Sequence, residues 1–204
     1  MKTPSSAAFP LMIIFIFTLS FNLRQLSVTA AAITDVQTDF ISTRCGDATI
    51  LYQSLCKSSL SPFASTVKQD LGILARVAID VSRNQTEPVL DLVKSLFGVS
   101  NATVVAALKN CFSHLETSVG KMRSSVETMQ QLNGSGSAAP SSSLEDVKLW
   151  MKAALDEENL CDRAFDQVGD MSLKGKVLGK LLLAKQLTSN AGALLLQFAP
   201  KIGA

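Results

Sequence analysis

A single histidine limits the chemistry open to this chain. His114 is the one imidazole in 204 residues, so no metal site built on two histidines can form. Any Ser–His–Asp or Cys–His relay would have to use it. It stands three residues after Cys111 on a helical pattern, where a partly solvated flank position is the plain reading, because catalysis needs a placed partner and a pocket. Glu157-Glu158 and Asp162 with Asp166 are the acids that could share acid–base work. With no cleft to raise a pKa they read as a solvated helix face, and so do Lys174, Lys176, Lys180 and Lys185. Gly134-Ser135-Gly136 lacks the lysine and the preceding strand of a phosphate loop. Trp150 falls at a core step. No catalytic residue, metal ligand set or cofactor is therefore expected.

The other reactive side chains are Cys45, Cys56, Cys111 and Cys161. Four cysteines allow three pairings, and none has the C-x₂₋₄-C spacing of a zinc site. Their reading depends on compartment. Residues 1–32 have the layout of a secretory signal peptide: Lys2 at the start, an apolar run from Leu11 to Leu19, and Ala30-Ala31-Ala32 as small residues for cleavage. The apolar run is shorter than the ~20 residues of a spanning helix. A secreted chain with an even number of cysteines is expected to hold two disulfides. Three sequons make Asn84, Asn101 and Asn133 candidate glycan acceptors.

The elements that must position these residues are helices. Val104, Leu108, Cys111, Leu115, Val119, Met122, Val126 and Met129 recur at steps of three and four, which places them on one face of an α-helix and excludes a strand. A first long helix is expected to start at Ser61-Pro62 and carry Val67, Leu71, Leu74, Ala78 and Val81. Pro88 should kink or break it near residues 84–87, with Val89, Leu92, Val93 and Leu96 continuing in phase and Gly98 as a left-handed cap. Asn101 or Thr103 caps the second helix. A Gly/Ser-rich loop from Asn133 leads to a third helix capped by Ser143, with Val147, Trp150/Met151, Ala154, Cys161, Phe165 and Val168. Glu158 occupies a step where an apolar residue is due. A fourth runs from about Ser172 to Phe198 and is stopped by Pro200.

Before these lie Asp35–Lys57, a short helical hairpin with a turn at Cys45-Gly46-Asp47. A Cys45–Cys56 bridge would close about twelve residues and contribute ~3 kcal/mol. Cys111 and Cys161 each lie on a core stripe, so a bridge between them would tie two neighbouring helices and contribute ~4 kcal/mol. The fold class expected is all-α: an up-down four-helix bundle preceded by an N-terminal helical hairpin, with two disulfides. The hairpin takes 33–60 and the bundle 61–204.

Composition agrees. Aromatics are 6% and charged residues 18% of the chain, which suits an Ala/Leu/Val-rich bundle better than a sandwich. Without Lys2 and Arg24, 17 basic residues face 17 acidic ones, so nothing calls for nucleic acid. No segment after residue 32 is apolar for long enough to hold a membrane.

Several stretches, in order, resemble the plant invertase and pectin methylesterase inhibitor family. They are Phe40-Ile41 before Cys45, Thr49, Tyr52, Leu55-Cys56 and Ser59-Leu60; Ala107-Leu108-Lys109-Asn110-Cys111; Asp146-Val147 through Trp150 to Ala153-Ala154-Leu155; Cys161-Asp162 with Phe165; and Leu187-Thr188-Ser189-Asn190-Ala191. The resemblance implies first-to-second and third-to-fourth cysteine pairing, in agreement with the stripes. It implies a cell-wall inhibitor that covers the active-site cleft of its target enzyme. Invertase inhibitors tend to carry Pro-Lys-Phe between the third and fourth helices. Met171-Ser172-Leu173-Lys174-Gly175-Lys176 stands there instead, so pectin methylesterase is the expected partner and acid invertase the alternative. The family's docking region points to Glu116, Lys121, Arg123 and Glu127 as candidate partner-binding residues.

Overall fold

The computed structural model describes residues 36–98, 101–135 and 141–199. The expected signal peptide, the middle of the Gly/Ser-rich connection and Pro200 lie outside the described residues. A first helix, α1, spans 36–45. Then come α2 (Gln53–Leu60), a 3₁₀ turn (Ser61–Phe63), the short α3 (Ala64–Val67), and four long helices: α4 (Leu71–Ser95), α5 (Ala102–Ser135), α6 (Ser141–Ala164) and α7 (Met171–Phe198). Regular structure among the described residues is entirely helical.

α1 and α2 form the hairpin, closed by Cys45–Cys56. The Asp47 carboxylate shapes its turn by accepting from Thr49 N–H at 2.9 Å and Thr49 hydroxyl at 2.7 Å. Those two bonds, the backbone one first, hold the Asp47 pKa below the usual carboxylate value. The hairpin is docked on α7 by Asn190. Its Oδ1 accepts Tyr52 N–H at 3.2 Å and its Nδ2 donates to Tyr52 C=O at 3.0 Å. Gln197 Nε2 adds a bond to the Arg44 carbonyl.

The first long helix does not start at Ser61. Lys68 and Gln69 take positive φ, 48° and 62°, which breaks the chain direction after Val67. Asp70 then caps α4 by accepting Ile73 N–H at 2.8 Å. Nor does Pro88 break the helix, since α4 runs through it unbroken. The proline deprives the Asn84 carbonyl of its helical donor, but Asn84 and Pro88 are both exposed, so water can solvate that oxygen. Gly98 is not a left-handed cap either. α4 unwinds through tighter bonds, Leu96 N–H to Val93 C=O and Phe97 N–H to Lys94 C=O. Asn101 caps α5 by accepting Val104 N–H at 3.1 Å, and Asp170 caps α7 through Leu173 N–H at 3.0 Å.

The long helices close a ring in the order α4–α5–α6–α7, with the α6–α7 seam the most sparsely packed. Each long helix turns most of its predicted stripe to the interior: Leu74 and Val93, Leu108 and Leu115, Val147 and Ala154, Leu181 and Leu195 are all essentially buried, while Val81, Leu92, Leu96, Val126 and Trp150 are partly buried. The apolar core falls into two parts. One, beneath the hairpin, gathers Ile41, Leu60, Leu74, Met129, Val147 and Leu194 with Cys45 and Cys56. The other, at the far end, gathers Val93, Leu108, Leu115, Phe165 and Leu181 with Cys111 and Cys161. Cys111–Cys161 joins α5 to α6 in the far part. Between the parts lie the buried polar residues Ser82, Thr86, Ser118, Glu158 and Thr188.

Candidate interaction surface

His114 Nδ1 lies 2.6 Å from Glu157 Oε2. An ionised carboxylate can only accept, so the ring N–H donates across the α5–α6 seam. Both side chains are partly exposed, so the imidazole is the partly solvated flank residue its position suggested, pinning two helices. Lys185 also departs from a plain solvated strip. It pairs with Asp162 at 2.6 Å and ties α7 to α6. Among the described residues no group of three or more His, Cys, Asp or Glu is placed to hold a metal ion.

Glu158 is the clear correction. It was read with Glu157 as part of a solvated face, yet it is fully buried. The signal was present, since it stands at an apolar step of the α6 stripe and phase predicts burial better than residue type does. Burial raises its pKa to about 7, against the lowering pull of hydrogen bonds from Thr188 and Thr86 and of the Lys185 charge.

The four candidate docking residues do not share one face. Glu116, Arg123 and Glu127 follow one another at steps of seven and four and are exposed, forming an outward strip on α5. Lys121 steps about 140° round the helix from Glu116 at ~100° per residue and is only partly exposed. Arg123 Nη2 reaches Glu87 Oε1 of α4 at 3.3 Å. Glu87 in turn pairs with Arg83 at 2.7 Å, which pairs with Asp80 at 2.8 Å, so the strip borders a charge network on the α4–α5 surface.

A second surface feature had no counterpart in the sequence reading. The loose α6–α7 seam holds an apolar groove of about 440 Å³, floored by Met151, Leu195 and the small residues Gly192 and Ala193. Leu149 and Leu196 stand exposed at its lip, and Lys148 and Lys152 edge it, each paired with an acid on its own helix. Neither leucine belongs to a core stripe, so both were visible as off-phase apolar residues.

The sequons differ in setting. Asn84 and Asn101 are exposed. Asn133 is partly buried, its Nδ2 enclosed without a hydrogen-bond partner, near the contact of α5 with Gly72 and Phe198.

The scaffold is of one class: a helical hairpin on a four-helix bundle, with one disulfide in each. The family model described as plant invertase/pectin methylesterase inhibitor matches residues 39–194, and the chain belongs to that family. It is 31% identical over 179 residues to the "21 kDa protein" of Daucus carota, covering 86% of this chain and 92% of that one. It is 31% identical to "Pectinesterase inhibitor 9" of Arabidopsis thaliana, over 79% of this chain and 81% of the relative. With "Pectinesterase inhibitor 10" of the same plant it shares 30% identity across 79% of this chain, which is 51% of that longer protein. The crystal structure of mutant form A of a pectin methylesterase inhibitor from Arabidopsis has the same fold, with a TM-score of 0.61 at 18% identity, over 76% of this chain and 94% of that one.

Proposed function

We propose that this chain is a secreted, non-enzymatic inhibitor of pectin methylesterase that docks on the enzyme and covers its active-site cleft. Residues 1–32 act as the signal peptide and 33–204 as the inhibitor domain. The observation that carries the reading is the recurrence of relatives named pectinesterase inhibitors, several aligning with more than three-quarters of this chain. A stapled, pre-ordered bundle suits the task, because little conformational freedom is lost on docking. Among the described residues no helix is long and apolar enough to cross a membrane. The α5 strip of Glu116, Arg123 and Glu127, with Lys121 on its flank, is the polar part of the docking surface. The segment from Met171 to Lys176, which lacks Pro-Lys-Phe, favours the esterase over acid invertase.

The test is a paired titration. Refolded mature protein is added to plant pectin methylesterase while proton release from methylated pectin is followed, and to acid invertase while sucrose hydrolysis is followed. The esterase rate should fall with added protein and the invertase rate should not. Glu116→Lys combined with Glu127→Lys should weaken esterase inhibition about tenfold by charge reversal at the contact. An unchanged esterase rate across isoforms and from acid to neutral pH would overturn the proposal. Loss of invertase activity alone would move the target to that enzyme.

A further inference from the structure

At the waist of the bundle, the four long helices each send a side chain into one buried contact. Thr86 of α4 and Thr188 of α7 place their Oγ1 atoms 2.9 Å and 3.0 Å from Glu158 Oε1 of α6. Ser82 Oγ of α4 lies 2.6 Å from Thr188 Oγ1 and donates weakly to Met122 Sδ of α5 at 3.7 Å. This layer fills the gap between the two apolar halves of the core. Glu158 Oε2 is enclosed and has no hydrogen-bond partner.

Each threonine hydroxyl has one proton and more than one acceptor within reach. Thr86 can give it to Glu158 or to the Ser82 carbonyl at 3.0 Å, and Thr188 to Glu158, to the Ala184 carbonyl at 3.0 Å or to Ser82 Oγ at 2.6 Å. With Glu158 ionised, both hydroxyls turn to Oε1, and a charge remains in the core with its second oxygen bare. With Glu158 protonated, its O–H donates to a threonine oxygen while the threonine protons turn to their own helices. Both arrangements are hydrogen-bonded, but only the first buries a charge.

We propose that this layer is a proton-operated clasp: protonated Glu158 holds the two halves of the bundle closed, and its ionisation as the medium approaches neutrality loosens the waist. The inference is independent of the target enzyme. The direction follows from burial. The folded-state pKa, about 7, lies above the ordinary value of 4.5, so the folded state binds the proton more tightly. The contribution to stability is complete below about pH 4.5 and is lost as pH rises through about 7. The neighbouring charged groups are engaged elsewhere. Arg83 of α4 pairs with Asp80 and Glu87, Glu87 pairs also with Arg123 of α5, and His114 of α5 pairs with Glu157 of α6. Lys185 of α7, held by Asp162 of α6, is the charged group that pulls the Glu158 pKa back down.

The test is urea unfolding of the mature protein, disulfides intact, at steps from about pH 4 to 8. Relative to Glu158→Gln, the wild type's folded-to-unfolded ratio should fall by on the order of a hundredfold across that range. Glu158→Gln should flatten that fall, whereas His114→Gln, which removes the sole imidazole, should leave most of it. A Glu158→Gln slope equal to the wild type's would overturn the proposal. Should that variant not fold, the native wild type supplies the answer by infrared spectroscopy. A protonated-carboxyl stretch should persist at about pH 6, where surface carboxylates are ionised, and its absence there would equally overturn the clasp.

Discussion

Asn190 satisfies both backbone groups of Tyr52, and α2 has no side-chain cap of its own at that end. One buried amide thus supplies what the hairpin lacks and fixes it to α7. In the sequence Asn190 was one letter of a family resemblance. Its role was not legible, because a contact across 138 positions leaves no periodic trace. Glu158 was legible by phase and masked by type, since a glutamate beside a glutamate invites a solvated reading. The sequons show the same limit: the tripeptide names an acceptor but not its surroundings. Asn84 and Asn101 present exposed side chains, whereas Asn133 Nδ2 is enclosed, and a glycan there would have to push apart the helix ends that enclose it. Glycopeptide mass spectrometry of the protein secreted from a plant host should therefore find Asn84 and Asn101 occupied and Asn133 bare. A glycan on Asn133 in folded, secreted material would contradict this packing.

Among the elements, helix phase could be read almost to the residue, and helix ends could not. The α5 stripe is buried as its three-and-four spacing requires, except at Val126, which is only partly buried while its neighbour Ser125 is enclosed. The start of α4 was misplaced because Lys68 and Gln69 adopt positive φ, a conformation that composition signals only when glycine or asparagine is used. A glycine does matter one turn further on. Gly72 lies where α4, α5 and α7 converge, and an added Cβ would meet Asn133 Oδ1 at 2.4 Å and the Phe198 ring at 2.9 Å. Alanine normally favours a helix over glycine by about 1 kcal/mol. Here the overlap outweighs that gain, since neither neighbour is in open space. Gly72→Ala should destabilise the protein by about 1–3 kcal/mol in chemical denaturation. The matched change Gly179→Ala on the exposed face of α7, with nothing near its Cβ, should be neutral or stabilising. If both substitutions moved stability the same way, the proposed crowding at Gly72 would be wrong.

On the scale of the whole molecule, the architecture followed from four long apolar stripes joined by short connections, which leave antiparallel neighbours as the simple solution. The division of the core into two halves did not follow, because it depends on which polar residues meet across helices. Each half carries its own disulfide: Cys45–Cys56 under the hairpin and Cys111–Cys161 at the far end. With a polar layer between them, the halves share less apolar contact than a continuous core would, so a lost bridge should be felt mainly on its own side. Cys111→Ala with Cys161→Ala frees a loop spanning 50 positions, which corresponds to a loss of about 4 kcal/mol in the chain-entropy account. Amide exchange should then rise most around Val104–Leu115 and Val177–Leu181, while Leu71–Ile79 and Ala191–Leu195 stay close to their protection in the parent protein. The reciprocal variant, Cys45→Ala with Cys56→Ala, should free α1 and α2 and spare the far end. Exchange that rose evenly along all four long helices in either variant would mean that the waist transmits strain as a continuous core does.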